Sequence, residues 1–128
     1  MAEARKGTRA NPGVMQFFQA TPPADRYLSA LTIGEIRRGI ETIRRRGNLA
    51  QAQKLEAWLD QLVLEYAHRI LAFDMDCAQV WARLMAPDTS LPIDKQISAI
   101  ALIHGLDVVT RNTRDFSATG VRLLNPFS

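Results

Sequence analysis

The sequence predicts an α/β fold, with a mostly parallel sheet and helices on both of its faces. Short apolar runs of strand length alternate along the chain with longer segments whose apolar residues recur at helical spacing. Strands joined through helices run parallel, and each crossover helix then covers a face of the sheet. Size points the same way: 128 residues suit one domain that buries a core of its own.

Residues 1–10 are polar and basic and carry no periodic signal. Asn11-Pro12 reads as an N-cap followed by proline in the first helical position, opening a short helix to about Gln19. Pro22-Pro23 ends it, and Arg26–Ala30 is a strand candidate. Thr32, with Glu35 three residues on, has the spacing of a capping box, and Ile33, Ile36, Ile40 and Ile43 repeat at helical spacing behind it. Gly47 separates this helix from a longer one over 49–68, striped by Leu55, Trp58, Leu59, Leu62, Val63 and Tyr66. Ile70–Phe73 has strand length, and Asp74 or Asp76 can cap a helix reaching about Met85. A loop over Ala86–Leu91 leads to a helix that starts at Pro92 and closes at His104-Gly105. Leu106–Thr110 and Val121–Leu124 are the last two strands. No internal repeat or low-complexity tract interrupts the series.

Composition excludes several classes. No apolar run has the length of a membrane span, and the N-terminus lacks a signal peptide's apolar region. The single cysteine, Cys77, permits no internal disulfide, so the expected compartment is the cytoplasm. The net charge of +3 is unevenly spread: residues 1–46 hold nine Lys/Arg against four Asp/Glu, and residues 47–128 hold seven against nine. Arg37, Arg38, Arg44, Arg45 and Arg46 supply most of the excess. Such a face attracts a polyanion such as RNA, although a basic last helical turn also serves the helix dipole.

Three acidic residues fall where an open α/β sheet places its chemistry, just beyond the carboxyl ends of strands. Glu35 lies in the first turn of the helix after the strand ending near Ala30, Asp94 in the first turn of the helix opened by Pro92, and Asp115 beyond the strand ending at Thr110. Taken singly, each has a plainer structural reading: a capping box, a favourable helix N-terminus and a turn cap. Together they are the oxygen ligands that Mg²⁺ and Mn²⁺ prefer. His68 and His104 have no ligand spacing, and Ser29 has no histidine–carboxylate partner for nucleophilic work. Gly34, Gly39 and Gly47 form no phosphate loop. Trp58, Trp81 and Phe73 read as core or interface rather than as stacking platforms.

The stretch Thr110-Arg111-Asn112-Thr113-Arg114-Asp115-Phe116 resembles the TRN-x-x-DF signature of the PIN-domain ribonucleases, the family of VapC- and FitB-type toxins of bacterial toxin–antitoxin pairs. Leu28–Ile40 and Pro92–Ala101 resemble two further stretches of that family, in the same order. The resemblance implies a three-layer α/β/α sandwich spanning residues 1–128 as a single domain. It implies an Mg²⁺- or Mn²⁺-dependent endoribonuclease whose metal centre involves Glu35, Asp94 and Asp115, with Asn112 beside it. Arg37, Arg38 and Arg111 are the expected RNA contacts, and a VapB-like antitoxin and a second copy are the expected protein partners. The apolar stripe of 49–68 is a candidate interaction face, or else it packs on the core.

The chain departs from the family pattern in one respect. Family members of this size usually open with an apolar strand ending in Asp-Thr-Asn, whose aspartate is a principal metal ligand. Here residues 1–7 resemble the end of the helix that follows that strand, with Glu3 near a common acidic position. The expectation is a chain truncated at its N-terminus relative to the family, most simply by a start assigned downstream of the true one. A natural relic and a strand donated by another molecule are the other readings. The missing carboxylate favours, as the alternative function, an impaired module that only binds antitoxin or RNA.

Overall fold

A computed structural model describes residues 11–127. The reading of residues 1–7 as a helix end, and of Glu3 as a family position, lies outside the described residues. Asn11 caps α1 (Pro12–Ala20): its Oδ1 accepts from the N–H groups of Gly13 at 2.9 Å and Val14 at 3.4 Å. After a 3-10 turn at Pro23–Asp25, β1 occupies only Leu28–Ser29.

The cap of α2 (Ala30–Arg45) differs from expectation. Ser29 Oγ accepts from Leu31 N–H at 3.0 Å and Thr32 N–H at 3.2 Å, so Ser29 is the N-cap. A cap must sit on extended backbone while its oxygen reaches the first unpaired amides. Ser29 meets that condition at the strand end, whereas Thr32 is already helical and is itself one of the capped residues. Glu35 therefore belongs to the second turn, not to a capping box.

Gly47, with a φ of 90°, turns the chain, and Asn48 caps α3 (Leu49–Glu65). α2 and α3 form an antiparallel hairpin that makes the larger core together with Leu28 of β1 and with Tyr66 at the end of α3: Leu28, Ile40, Ala52, Leu59, Leu62 and Tyr66 are buried, with Trp58 and Ile36 packed against them. Of the apolar stripe of 49–68, Leu59, Leu62 and Tyr66 are buried in this core, and Leu55, Trp58 and Val63 pack partly buried against it. Glu56 fastens the same pair, meeting Arg37 at 2.6 Å and Arg44 at 2.9 Å.

β2 (Ile70–Leu71) pairs in parallel with β1, Leu28 facing Ile70. Asp74 caps α4 (Met75–Met85) by accepting from Cys77 N–H at 3.0 Å. α5 (Pro92–His104) follows and ends at Gly105, whose φ of 65° suits a residue without Cβ. β3 (Val108–Val109) and β4 (Leu123–Leu124) form a second parallel pair, in register Val108 to Leu123. Between them lie α6 (Thr113–Phe116) and a 3-10 turn at Ser117–Thr119.

The strands are parallel and carried by helices, as the alternation requires, but among the described residues they form two separate two-stranded sheets. A smaller core lies under the second pair, made of Ala101, Val108, Phe116 and Val121. No helix among the described residues is long and apolar enough to cross a membrane.

Candidate active site

Each candidate acidic side chain is delivered by a different route. Ser29 ends β1 and starts α2, which carries Glu35 in its second turn. β3 ends at Val109, and the chain then passes through Asn112 into α6, which holds Asp115 in its first turn. Asp94 stands in the first turn of α5.

The position of Asp94 is set from behind. Trp81 Nε1, on α4, donates to Pro92 O at 3.1 Å. Lys95 is buried, and its ammonium donates to Asp88 O and lies 3.7 Å from the Asp88 carboxylate. Leu91, immediately before the helix, takes a left-handed backbone with φ 53°, uncommon for a residue with a branched side chain. These three features fix where α5 begins. The Lys95, Asp88 and Trp81 roles escaped the sequence reading, because nothing in helical periodicity marks a lysine whose head turns inward.

The Asp94 carboxyl is held above the ordinary carboxylate value. Burial is the larger cause, followed by the negative charges of Asp115 and then Glu35. Asp94 thus senses both of the other acids across three separate elements. Glu35 is also paired with Arg38 at 3.3 Å.

The remaining expected residues divide. Asn112 N–H donates to Thr110 Oγ1 at 3.0 Å, while its side-chain amide makes no cap hydrogen bond to α6. Arg111 lies over the Phe127 ring at 4.7 Å, a cation–π contact that orients the guanidinium at the end of β3. Arg38 is 76% exposed. Arg37 is tied to Glu56 and, at 3.7 Å, to Asp60, so much of its charge is spent on the α2–α3 hairpin. Ser29 Oγ is occupied as a cap, which accounts for that serine without any nucleophilic role.

Among the described residues, no three His, Cys, Asp or Glu side chains are drawn tightly enough together to enclose an ion. In kind, the acids still fit a hard divalent cation: they offer only oxygen, and they are gathered against the repulsion felt by Asp94. Mg²⁺ usually keeps several waters and meets only one or two carboxylates directly.

Comparison with known proteins adds to this geometry. A family model described as PIN domain matches residues 10–121. The chain is 36% identical over 108 residues to the VapC ribonuclease Y4jK of Sinorhizobium fredii, spanning 79% of this chain and 74% of that protein. It is 32% identical over 123 residues to the toxin FitB of Neisseria gonorrhoeae, spanning 91% and 86% respectively. The crystal structure of FitAcB from Neisseria gonorrhoeae matches with a TM-score of 0.84 at 29% identity, over 98% of this chain and 92% of that one.

Proposed function

The chain belongs to the PIN-domain family, and from that premise we propose that it is the endoribonuclease toxin of a toxin–antitoxin pair, hydrolysing RNA phosphodiester bonds with Mg²⁺ or Mn²⁺. The observation that carries the reading is the shared electrostatics of the acids: Asp94 feels both Asp115 and Glu35. Two relatives named as a ribonuclease and a toxin support it.

Asp94, Asp115 and Glu35 would hold the cation, which when bound supplies an activated water and offsets charge at the attacked phosphate. The chain's own groups do the rest. Asp94 resists ionisation in the free protein, so a cation there gains by relieving the repulsion. The Asn112 amide orients a water or a phosphate oxygen beside Asp115. Arg38 and Arg111 receive flanking phosphates. Arg37 contributes to the field of this face more than to any direct contact, since Glu56 and Asp60 already engage it.

A second reading is a module that binds antitoxin or RNA without cutting; it is favoured by the lack, among the described residues, of any three His, Cys, Asp or Glu that together could hold a metal ion. Purified protein assayed on several RNAs, with Mg²⁺, Mn²⁺ and EDTA arms, separates the two. Chelator-sensitive cleavage that Asp94→Asn abolishes, with the fold retained by circular dichroism, is the expected result. RNA binding without cleavage in every metal arm would establish the binding module instead.

The proposed partners are RNA, a VapB-like antitoxin and a second copy of the chain. Leu64, Met75, Leu102 and Ile103 are large apolar side chains left exposed, and they supply contact area for a protein partner.

A further inference from the structure

The arginines of α2 divide by what they hold. Arg37 and Arg44 both reach Glu56 on α3, at 2.6 Å and 2.9 Å, and Arg37 also lies 3.7 Å from Asp60. Arg44 pairs as well with Glu41 of its own helix. These ties cross from α2 to α3 and hold the Glu56 carboxyl below its ordinary value, through Arg44 first and Arg37 second. Arg38 is placed differently. Its guanidinium lies 3.3 Å from Glu35, three residues back on the same helix. That carboxylate is one of the two whose charge Asp94 feels.

The pair between Arg38 and Glu35 is built to be broken. The Arg38 side chain is 76% exposed and that of Glu35 is 40% exposed. Water screens such a pair, and two long side chains must be ordered to keep it. A divalent cation carries twice the charge of a guanidinium and binds carboxylate oxygen directly. Arg38 and a cation therefore compete for one carboxylate, and the cation is the stronger competitor. Once off Glu35, the guanidinium keeps its five donors and stands in water beside the acids, with the fork geometry that phosphate oxygens fit.

We propose that Arg38 is a two-position residue: it sits on Glu35 while the acids are unoccupied, and turns to a phosphate of the RNA once a divalent cation claims Glu35. The inference rests on the reading of Glu35 as a metal ligand and of the substrate as RNA. What it adds is a coupling between the two ligands, carried by one side chain. Arg38 must leave Glu35 before a cation takes the carboxylate, which lowers affinity for the cation. The same departure frees Arg38 for phosphate, which raises affinity for RNA. By linkage, each ligand then tightens the other by the same factor.

The test measures binding, not cleavage, on the 128-residue chain. Mn²⁺ affinity is read by electron paramagnetic resonance of the free ion. RNA affinity is read in EDTA by fluorescence anisotropy of a labelled single-stranded RNA of mixed sequence. Arg38→Gln should bind Mn²⁺ roughly two- to fivefold more tightly, the range an exposed ion pair commands, and should bind RNA more weakly. Arg38→Lys, which keeps the charge, should bind Mn²⁺ as the unmodified chain does. Arg45→Gln removes the same charge two turns along α2 and should weaken RNA binding without that gain for Mn²⁺. Glu35→Gln imitates a Glu35 that has released Arg38. It should tighten RNA binding by about twofold or more beyond its effect in the Arg38→Gln background, the non-additivity expected of a coupled pair. Failure of every variant to bind Mn²⁺ would sink the metal-centre reading, and this inference with it. Mn²⁺ binding that Arg38→Gln leaves unchanged, an equal gain from Arg45→Gln, or equal effects of Glu35→Gln in both backgrounds would overturn the inference alone.

Discussion

At Asp94, burial and two neighbouring carboxylates act in one direction, against ionisation. The sign of the linkage follows. A carboxyl whose folded value lies above its ordinary value of 3.8 destabilises the fold once ionised. That penalty is fully present above the folded value and fades as pH falls through it towards the ordinary one. Asp94→Asn should therefore raise the Tm at pH 7 in metal-free buffer and give no gain near pH 3.8. Melts at the two pH values check this; equal shifts at both would locate the effect outside the charge. Mg²⁺ should in turn stabilise the native protein more than Asp94→Asn, because binding to the folded state alone raises stability by mass action. None of this electrostatics was legible in the sequence. Asp94, Glu35 and Asp115 stood out through their places at helix starts and beyond a strand end, together with three family-like stretches in the right order. Arg37 illustrates the limit at this scale: a basic residue on the expected face, whose charge the folded chain commits to Glu56 and Asp60.

The helices were legible where their ends were chemically marked. Asn11-Pro12 and the Pro92 and Gly105 ends of α5 stand where the sequence placed them, and Asp74 is the one of the two candidate aspartates that caps α4. The one misplaced cap, Thr32 for Ser29, arose because a strand running straight into a helix puts the extended capping residue at the strand's last position. α6 was missed because a single turn is too short to show a 3.6-residue period. The strands were expected at four or five residues and have two each, because an apolar run forms a ladder only where a neighbouring strand lies alongside. At this scale the α2–α3 hairpin carries most of the larger buried apolar cluster. Leu59 is 1% exposed at its centre, so Leu59→Ala should cost about 3 kcal/mol through lost burial and the cavity left behind. Urea denaturation measures it, with an unchanged m-value as the sign that only stability has moved.

For the whole molecule, the alternation of strand and helix gave the fold class, but no local pattern could reveal how the strands group. The division into two sheets with two buried clusters, one around Ile40 and Leu59 and one around Val108 and Phe116, has a consequence for how the chain comes apart. Cooperativity requires that loss of one region remove the support of the other. The two clusters share no residue, and among the described residues the strand pairs beside them are not bonded to each other. Calorimetry on the 128-residue chain should then give a van't Hoff enthalpy below the calorimetric one. The region around Val108 and Phe116 should open first, since its buried cluster is the smaller. Native-state exchange would resolve the two openings residue by residue, and a single sharp transition in both measurements would refute the division.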